Sequence, residues 1–245
     1  MAVVVVPLIG LLQRASWSSL ARDLSSHDAL VALRLSLETS LGALGISLAL
    51  GVPLAWVLAR HRFPGRSVVR ALVTLPMVLP PVVGGIALLY AFGRRGFAGH
   101  VLYTLTGWRF VFNTSGAMLA QTFVAMPFLV VTAEAAFRTL DRRAEEAAST
   151  LGANPAYRFR RVTLPAVAPA LAAGAALTWA RALGEFGATI TFAGNLPGVT
   201  QTTPLLVYLD IESGNETTAI ALSLVLLVVS LAVLVGLRDR WLGSP

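Results

Sequence analysis

The chain has 245 residues, 56% hydrophobic and only 13% charged, a balance that a soluble domain of this size cannot bury and that points to a membrane protein. It has no cysteine, which excludes disulfides and thiolate chemistry, and no lysine, which excludes Schiff-base chemistry and a P-loop ATP site, where a lysine must reach the terminal phosphates. The formal net charge of +7 comes with arginines that flank apolar segments, not with a basic soluble face, so no nucleic-acid partner is expected.

In chain order, Met1–Leu12 is apolar but short of the about 20 residues a helix needs to cross a bilayer core, and it reads as the end of a truncated first span. It lacks the charged start and small-residue cleavage site of a signal peptide. Uncharged stretches of full length follow at Thr39–Ala59, Ala71–Phe92, Val111–Ala133 and Thr217–Leu237. A fifth starts at Pro165 and runs past Ala180, with Arg181 and Glu185 interrupting it. The expected fold is all-α and polytopic, with five full transmembrane helices plus a short or truncated N-terminal one. A single domain covers 1–245, with its core at 35–237.

Arginine placement sets the orientation. The segments Arg60–Arg70, Phe137–Leu164 and Arg238 onward hold twelve arginines, against six in the segments on the other side. The chain is therefore expected in the cytoplasmic membrane as a multi-pass protein with its C-terminus inside. Five spans put the N-terminus outside and six put it inside, and the sequence leaves both open.

Within the second stretch, Pro76, Pro80 and Pro81 precede Gly84 and Gly85, a pattern that should distort the helix and free carbonyls inside the membrane. Glu134 with Arg138, and Arg34 with Glu38, are spaced four apart and read as structural pairs. His27, His61 and His100 are scattered and form no metal cluster.

The longest loop, about 137–165, carries the sharpest signal. Asp141 is placed to cap a short helix that ends at Gly152, and Asn154 with Pro155 is placed to start another. Ala144, Ala147 and Ala148 make part of the first helix narrow enough to enter a groove on another protein, with Glu145, Glu146 and nearby arginines as charged contacts. An ordinary solvated amphipathic loop is the competing reading.

This stretch resembles the EAA loop of ABC importer permeases: Glu146, Ala147, Ala148, Gly152, Val162, Leu164 and Pro165 fall in that register. The resemblance implies the ABC importer permease fold (MetI-like) and a coupling loop, Glu145 included, that docks on a separate ATPase. It further implies a homodimer, two ATP-binding cassette subunits on the cytoplasmic face that hold ATP and magnesium, and an extracytoplasmic oxyanion-binding protein. The chain itself would need no cofactor and catalyse no reaction.

Beyond Pro165, small residues recur four apart at Ala168, Ala172, Ala176, Ala180, Gly184 and Ala188, a spacing that lets helices pack closely in lipid. Arg181 and Glu185 follow on the same run, roughly 24–30 Å beyond Pro165 if the helix is regular. A plain intrahelical pair and an anion-handling pair are both open there. Thr189, Thr191, Thr200, Gln201, Thr202 and Thr203 are read either as neutral donors around an outer mouth or as loop residues.

The stretches LPMVLPPVVGG at Leu75–Gly85, FGRRG at Phe92–Gly96 and WARALGEFGATITFAGNLPGVTQTTPL at Trp179–Leu205 are similar to the permeases of molybdate and tungstate importers, with sulfate permeases as nearest relatives. That resemblance implies molybdate or tungstate as cargo, with sulfate or thiosulfate as the alternative. Pro80, Pro81, Arg181, Gly184, Glu185, Gly187 and Thr189 are the candidate path and gate residues. Two rivals remain. A membrane enzyme would need HExxH or clustered carboxylates along its spans, and the sequence has neither. A stand-alone channel would need no ATPase-docking loop.

Overall fold

The structure, a computed structural model, describes residues 2–141 and 143–241. Among these residues every regular element is a helix. Helix α1 (Ala2–Arg14) is apolar, buries no residue and has 13 residues, too few to cross a membrane. A short α2 (Leu20–Leu24) leads to α3 (His27–Arg60).

α3 starts well before the uncharged stretch at Thr39. Ser26 is extended and its hydroxyl accepts from the Ala29 N–H at 3.4 Å, while Asp28 occupies the first turn, where the helix dipole favours an acid. Arg34 and Glu38, the charges that bounded the uncharged stretch, pair at 2.6 Å on an exposed face and so do not interrupt the helix. With 34 residues α3 is about 51 Å long and outreaches a hydrocarbon core of about 30 Å.

The second span is broken, not merely kinked. α4 (Arg66–Thr74) passes into a 3-10 turn (Leu75–Met77), and α5 (Pro81–Phe92) then leaves at 117°. Pro81 holds Pro80 extended (φ −53°, ψ 130°), and neither proline has an N–H with which to continue the ladder. Gly84 and Gly85 have a different use from the one the sequence predicted. A Cβ on Gly85 would collide with the Thr191 hydroxyl and the Ala188 backbone, so this glycine permits a close helix crossing instead of a bend.

α6 (Phe97–Thr106) folds back against the end of α5, and α7 (Thr114–Thr139) begins where the Asn113 side chain accepts from the Ser115 N–H at 3.2 Å. Of the four unbroken spans α7 is the most enclosed, with 61% of its apolar window buried against 28% for α3, so it is the axis of the bundle. After the loop helices α8 (Arg143–Thr150) and α9 (Pro155–Arg158), a π turn (Phe159–Thr163) leads into α10 (Leu164–Leu183). Pro155–Leu183 is thus one helical run, and the apolar stretch that begins at Pro165 continues the loop helices without a break.

That run ends at Leu183, so Gly184 and Ala188 do not continue its small-residue row. Ala188 lies on the short α11 (Gly187–Phe192). The row is not the packing face within the chain either. Ala168 and Ala172 are exposed, while Val167, Leu171, Gly174, Thr178 and Ala182 are buried. Next come α12 (Thr203–Glu212) and α13 (Glu216–Trp241). Four runs are long and apolar enough to span, and the bent pair makes a fifth, which agrees with five spans plus a short N-terminal helix.

Two of the apolar clusters that hold the bundle together lie toward its opposite ends. Near the 137–165 loop, Ala55, Leu58, Val130, Ala133, Phe137, Val167 and Leu171 join α3, α7 and α10. Toward the opposite end, Leu88, Ala120, Val124, Ala188 and Phe192 join α5, α7 and α11. Arg142 and residues 242–245, which the sequence places on the cytoplasmic side, lie outside the described residues.

Candidate functional site

The loop helices form as their local signals predict. The Asp141 carboxylate accepts from the Arg143 N–H at 3.0 Å and caps α8. Gly152 adopts φ +83°, a left-handed conformation open to glycine, and the Ala153 N–H donates back to the Ala148 carbonyl at 3.0 Å. The Asn154 side chain then accepts from the Tyr157 N–H at 2.8 Å, with Pro155 in the first turn of α9. The π turn that follows widens the helix just ahead of Pro165, where a proline ring would otherwise crowd the carbonyl one turn back.

The hairpin of α8 and α9 presents two different carboxylates. Glu146 is exposed, as are Ala144 and Ala147, whereas Ala148 is half-buried. Glu145 turns inward, contrary to the expected outward contact. Its Oε1 accepts from the Arg60 guanidinium at 2.9 Å and from the Thr163 hydroxyl at 2.5 Å. Arg60 ends α3 and Thr163 ends the π turn, so one carboxylate joins three elements. The side chains of Arg60 and Glu145 are 9% and 22% exposed, which keeps this pair poorly screened. Trp56 packs edge-on to Phe159 with centroids 5.9 Å apart and closes one wall of a cavity of about 310 Å³ that Arg60, Glu145, Glu146, Arg158 and Thr163 also line.

Leu151 at the hairpin tip is 88% exposed, and with Ala148, Gly152, Ala153, Asn154 and Tyr157 it lines a cleft of about 440 Å³. Sequence reasoning passed over Leu151, although a leucine directly before a helix-stopping glycine has no intrahelical face to pack on. It also missed the main partner of Glu134. Arg138 lies 3.9 Å away, but Arg70 grips the same carboxylate with two nitrogens, its Nε at 3.1 Å, and Arg66 stands at 3.8 Å. This cluster fastens the amphipathic α4 to α7, and no sequence spacing could reveal a pairing across 64 positions.

Farther along the bundle, the structure gathers most of the candidate path residues. A Cβ on Gly187 would lie 3.0 Å from that of Pro81, so the proline break and the start of α11 are in direct contact. Arg181, in the last turn of α10, forms an ion pair with Glu185 at 2.6 Å, and the second Glu185 oxygen accepts the Ala188 N–H at 2.9 Å. Glu185 is 1% exposed and sits between two helices, so the pair bridges a helix break and is not intrahelical. Gly184 is exposed beside it, and the Thr189 hydroxyl is buried with no hydrogen-bond partner among the described residues.

Of the threonines after Thr189, Thr191 is half-buried and donates to the Gly187 carbonyl at 2.8 Å, while those beyond it lie inside the fold. Thr200, Thr202 and Thr203 are fully buried. The Thr200 hydroxyl donates to the Gly194 carbonyl at 3.1 Å, and Ser36 of α3 donates to the Thr203 hydroxyl at 2.9 Å while accepting its N–H at 2.7 Å. In α12, burial pushes the Asp210 carboxyl above the usual carboxylate range. The hydrogen bond from Asn215 at 3.2 Å opposes this shift and the negative charge of Asp28 adds to it.

Comparison with known proteins agrees with this architecture. Residues 51–243 match the family model described as the binding-protein-dependent transport system inner membrane component. The chain is 46% identical over 239 residues to the molybdenum transport system permease protein ModB of Mycobacterium tuberculosis, covering 97% of this chain and 89% of the relative. It is 34% identical over 239 residues to the sulfate transport system permease protein CysT of Salmonella typhimurium, covering 96% and 86%. A solved bacterial alginate ABC transporter in complex with an alginate pentasaccharide-bound periplasmic protein shares the fold, with TM-score 0.71 at 19% identity, covering 96% of this chain and 88% of the other. A five-span helical bundle with this loop, matched over most of its length, belongs to the family of binding-protein-dependent transport system inner membrane components.

Proposed function

We propose that the chain is the permease subunit of an ATP-driven importer that carries molybdate or tungstate across the cytoplasmic membrane by alternating access. The observation that carries the reading is the projecting α8–α9 hairpin. It shows exposed Glu146, Ala147 and Leu151 on one side and is tied to the spans through Glu145 on the other. Residues 137–165 form the cytoplasmic coupling loop, with Glu146, Ala147, Ala148 and Gly152 toward a separate ATPase and Val162, Leu164 and Pro165 leading into the span. The C-terminus is cytoplasmic. The missing lysine means that ATP and magnesium belong to that ATPase. Two copies of the permease, two ATPases and an extracytoplasmic binding protein complete the assembly.

In this reading ATP closure displaces α8, and Glu145 passes the displacement to the end of α3 through Arg60 and to the foot of α10 through Thr163. Both spans pack on α7, so they move against a common axis. The path runs past the Pro80–Pro81 break and α11. Arg181, with its side chain 29% exposed, supplies a positive charge that attracts an oxyanion, and Glu185 tempers that charge so that the ion is released. Gly184, Gly187 and Thr189 shape the wall beside it.

The cargo assignment is supported by the closer likeness to a molybdenum permease, 46% identity against 34% for a sulfate permease. The test is ATP hydrolysis by the purified permease–ATPase complex. Stimulation by binding protein loaded with molybdate but not with sulfate supports it. The reverse preference makes the chain a sulfate permease, and conduction without any ATPase makes it a channel.

A further inference from the structure

At the end of the bundle opposite the coupling loop, Arg94, Arg95 and Arg109 line a single cavity of about 530 Å³. All three are exposed, and among the described residues none of them makes an ion pair with a carboxylate. Among the described residues no acidic side chain lines the cavity. Its other walls are apolar or aromatic: Leu89, Tyr90, Val111 and Phe112. Arg94 is steered across the face of Tyr103, 4.8 Å from the ring centroid, while its charge stays uncompensated. Three cations converging without a counter-ion repel one another, and that cost is removed when an anion enters.

The apolar wall identifies the kind of anion. Tyr90 is 76% exposed and continues the outward face of α5 through Val83 and Ile86. On α6, Phe97, Val101 and Leu105 fall four apart and are 79%, 54% and 79% exposed, a single apolar stripe left uncovered by the described residues. Tyr90, Tyr103, Trp108 and Phe112 occur in the same segment as the arginines, as aromatic residues do at a membrane interface. A small hydrated oxyanion has no use for such a wall, whereas a phosphate carrying acyl chains matches both halves.

We propose that Arg94, Arg95 and Arg109 bind the phosphate headgroup of an anionic phospholipid in the outer leaflet, its acyl chains lying along Tyr90 and the exposed stripe of α6. The leaflet rests on the orientation given under the proposed function; the headgroup assignment does not. The lipid seats α6 in the interface and so steadies the outer end of α5, whose inner end is the Pro80–Pro81 break.

The experiment reconstitutes the full chain in vesicles of equal phosphatidylglycerol and phosphatidylcholine, extracts it mildly and weighs the retained lipid by native mass spectrometry. Wild type should retain phosphatidylglycerol preferentially, with less preference at high salt because screening weakens exposed charges. Arg94→Gln with Arg109→Gln should reduce that preference by about tenfold or more, since two of the three cations that attract the headgroup are removed. Arg22→Gln, an exposed arginine outside the cavity, should not change it. Equal retention of both lipids by wild type overturns the proposal, as does an unchanged preference in the double variant. It is also overturned if millimolar inorganic phosphate or molybdate displaces the lipid, or if the variants weaken binding-protein docking and leave lipid retention intact. If the double variant fails to fold, the salt dependence in wild type decides. Because the chain has no cysteine, labelling of Thr106→Cys by a membrane-impermeant thiol reagent reports the orientation separately.

Discussion

The Arg60 guanidinium, at the end of α3, donates to the Glu145 carboxylate in the first turn of α8 across 2.9 Å, although 85 positions separate them in the chain. Breaking a poorly screened pair leaves a desolvated charge behind, a loss of about 2–4 kcal/mol for Glu145→Ala. The expected result is faster hydrogen exchange over residues 143–163 and reduced uptake, with the ATPase still co-purifying. Exchanging the two charges, Arg60→Glu with Glu145→Arg, should restore part of the uptake. Full uptake by Glu145→Ala would show that the link transmits nothing.

Leu151 is the most exposed large hydrophobic side chain of the hairpin. If it anchors the ATPase, Leu151→Asp should weaken docking by about 2 kcal/mol, close to thirtyfold in Kd. The permease should keep its melting temperature, because a side chain 88% exposed contributes little to the fold. A binding titration with the ATPase measures the first effect, and thermal unfolding of the permease alone measures the second.

The α5–α11 crossing depends on glycine. Gly85→Ala should destabilise the chain by about 1–3 kcal/mol, because the new methyl group meets the Ala188 backbone, which cannot rotate away. Gly45→Ala has open space and should be neutral or slightly stabilising. Thermal unfolding in detergent separates the two variants.

Asp210 provides a pH test. Its folded carboxyl is raised above the unfolded value, so the folded state binds the proton more tightly, and stability falls as pH rises through the range just above the ordinary carboxylate value. Asp210→Asn removes the buried charge. The variant should melt higher than wild type near pH 7, with the advantage vanishing toward pH 4. An advantage that is constant across pH would point to packing instead.

Glu185 holds Arg181 with one oxygen and the start of α11 with the other. Glu185→Gln keeps an acceptor for the Ala188 N–H but removes the charge. Assembly with the ATPase should survive while the rate of oxyanion uptake changes. Unchanged uptake removes Glu185 from the transport path.

Much of the architecture was legible in the amino-acid order because the signals are local. The lipid core demands long apolar helices, so hydropathy places the spans. Asp141, Gly152, Asn154 and Pro155 act within four residues of themselves, so their types define the loop helices. The absence of lysine rules out a P-loop in this chain without any coordinates. What lay beyond the sequence was direction and distance. Glu145 and Glu146 are chemically identical neighbours, yet one helix step of about 100° turns the first toward Arg60 and leaves the second exposed. Glu134 gained Arg70 and Arg66 beside its predicted partner Arg138, Gly85 served a crossing rather than a bend, and three separated arginines came to share one cavity. Each of these depends on how helices far apart in the chain pack around α7, a relationship that tertiary structure alone decides.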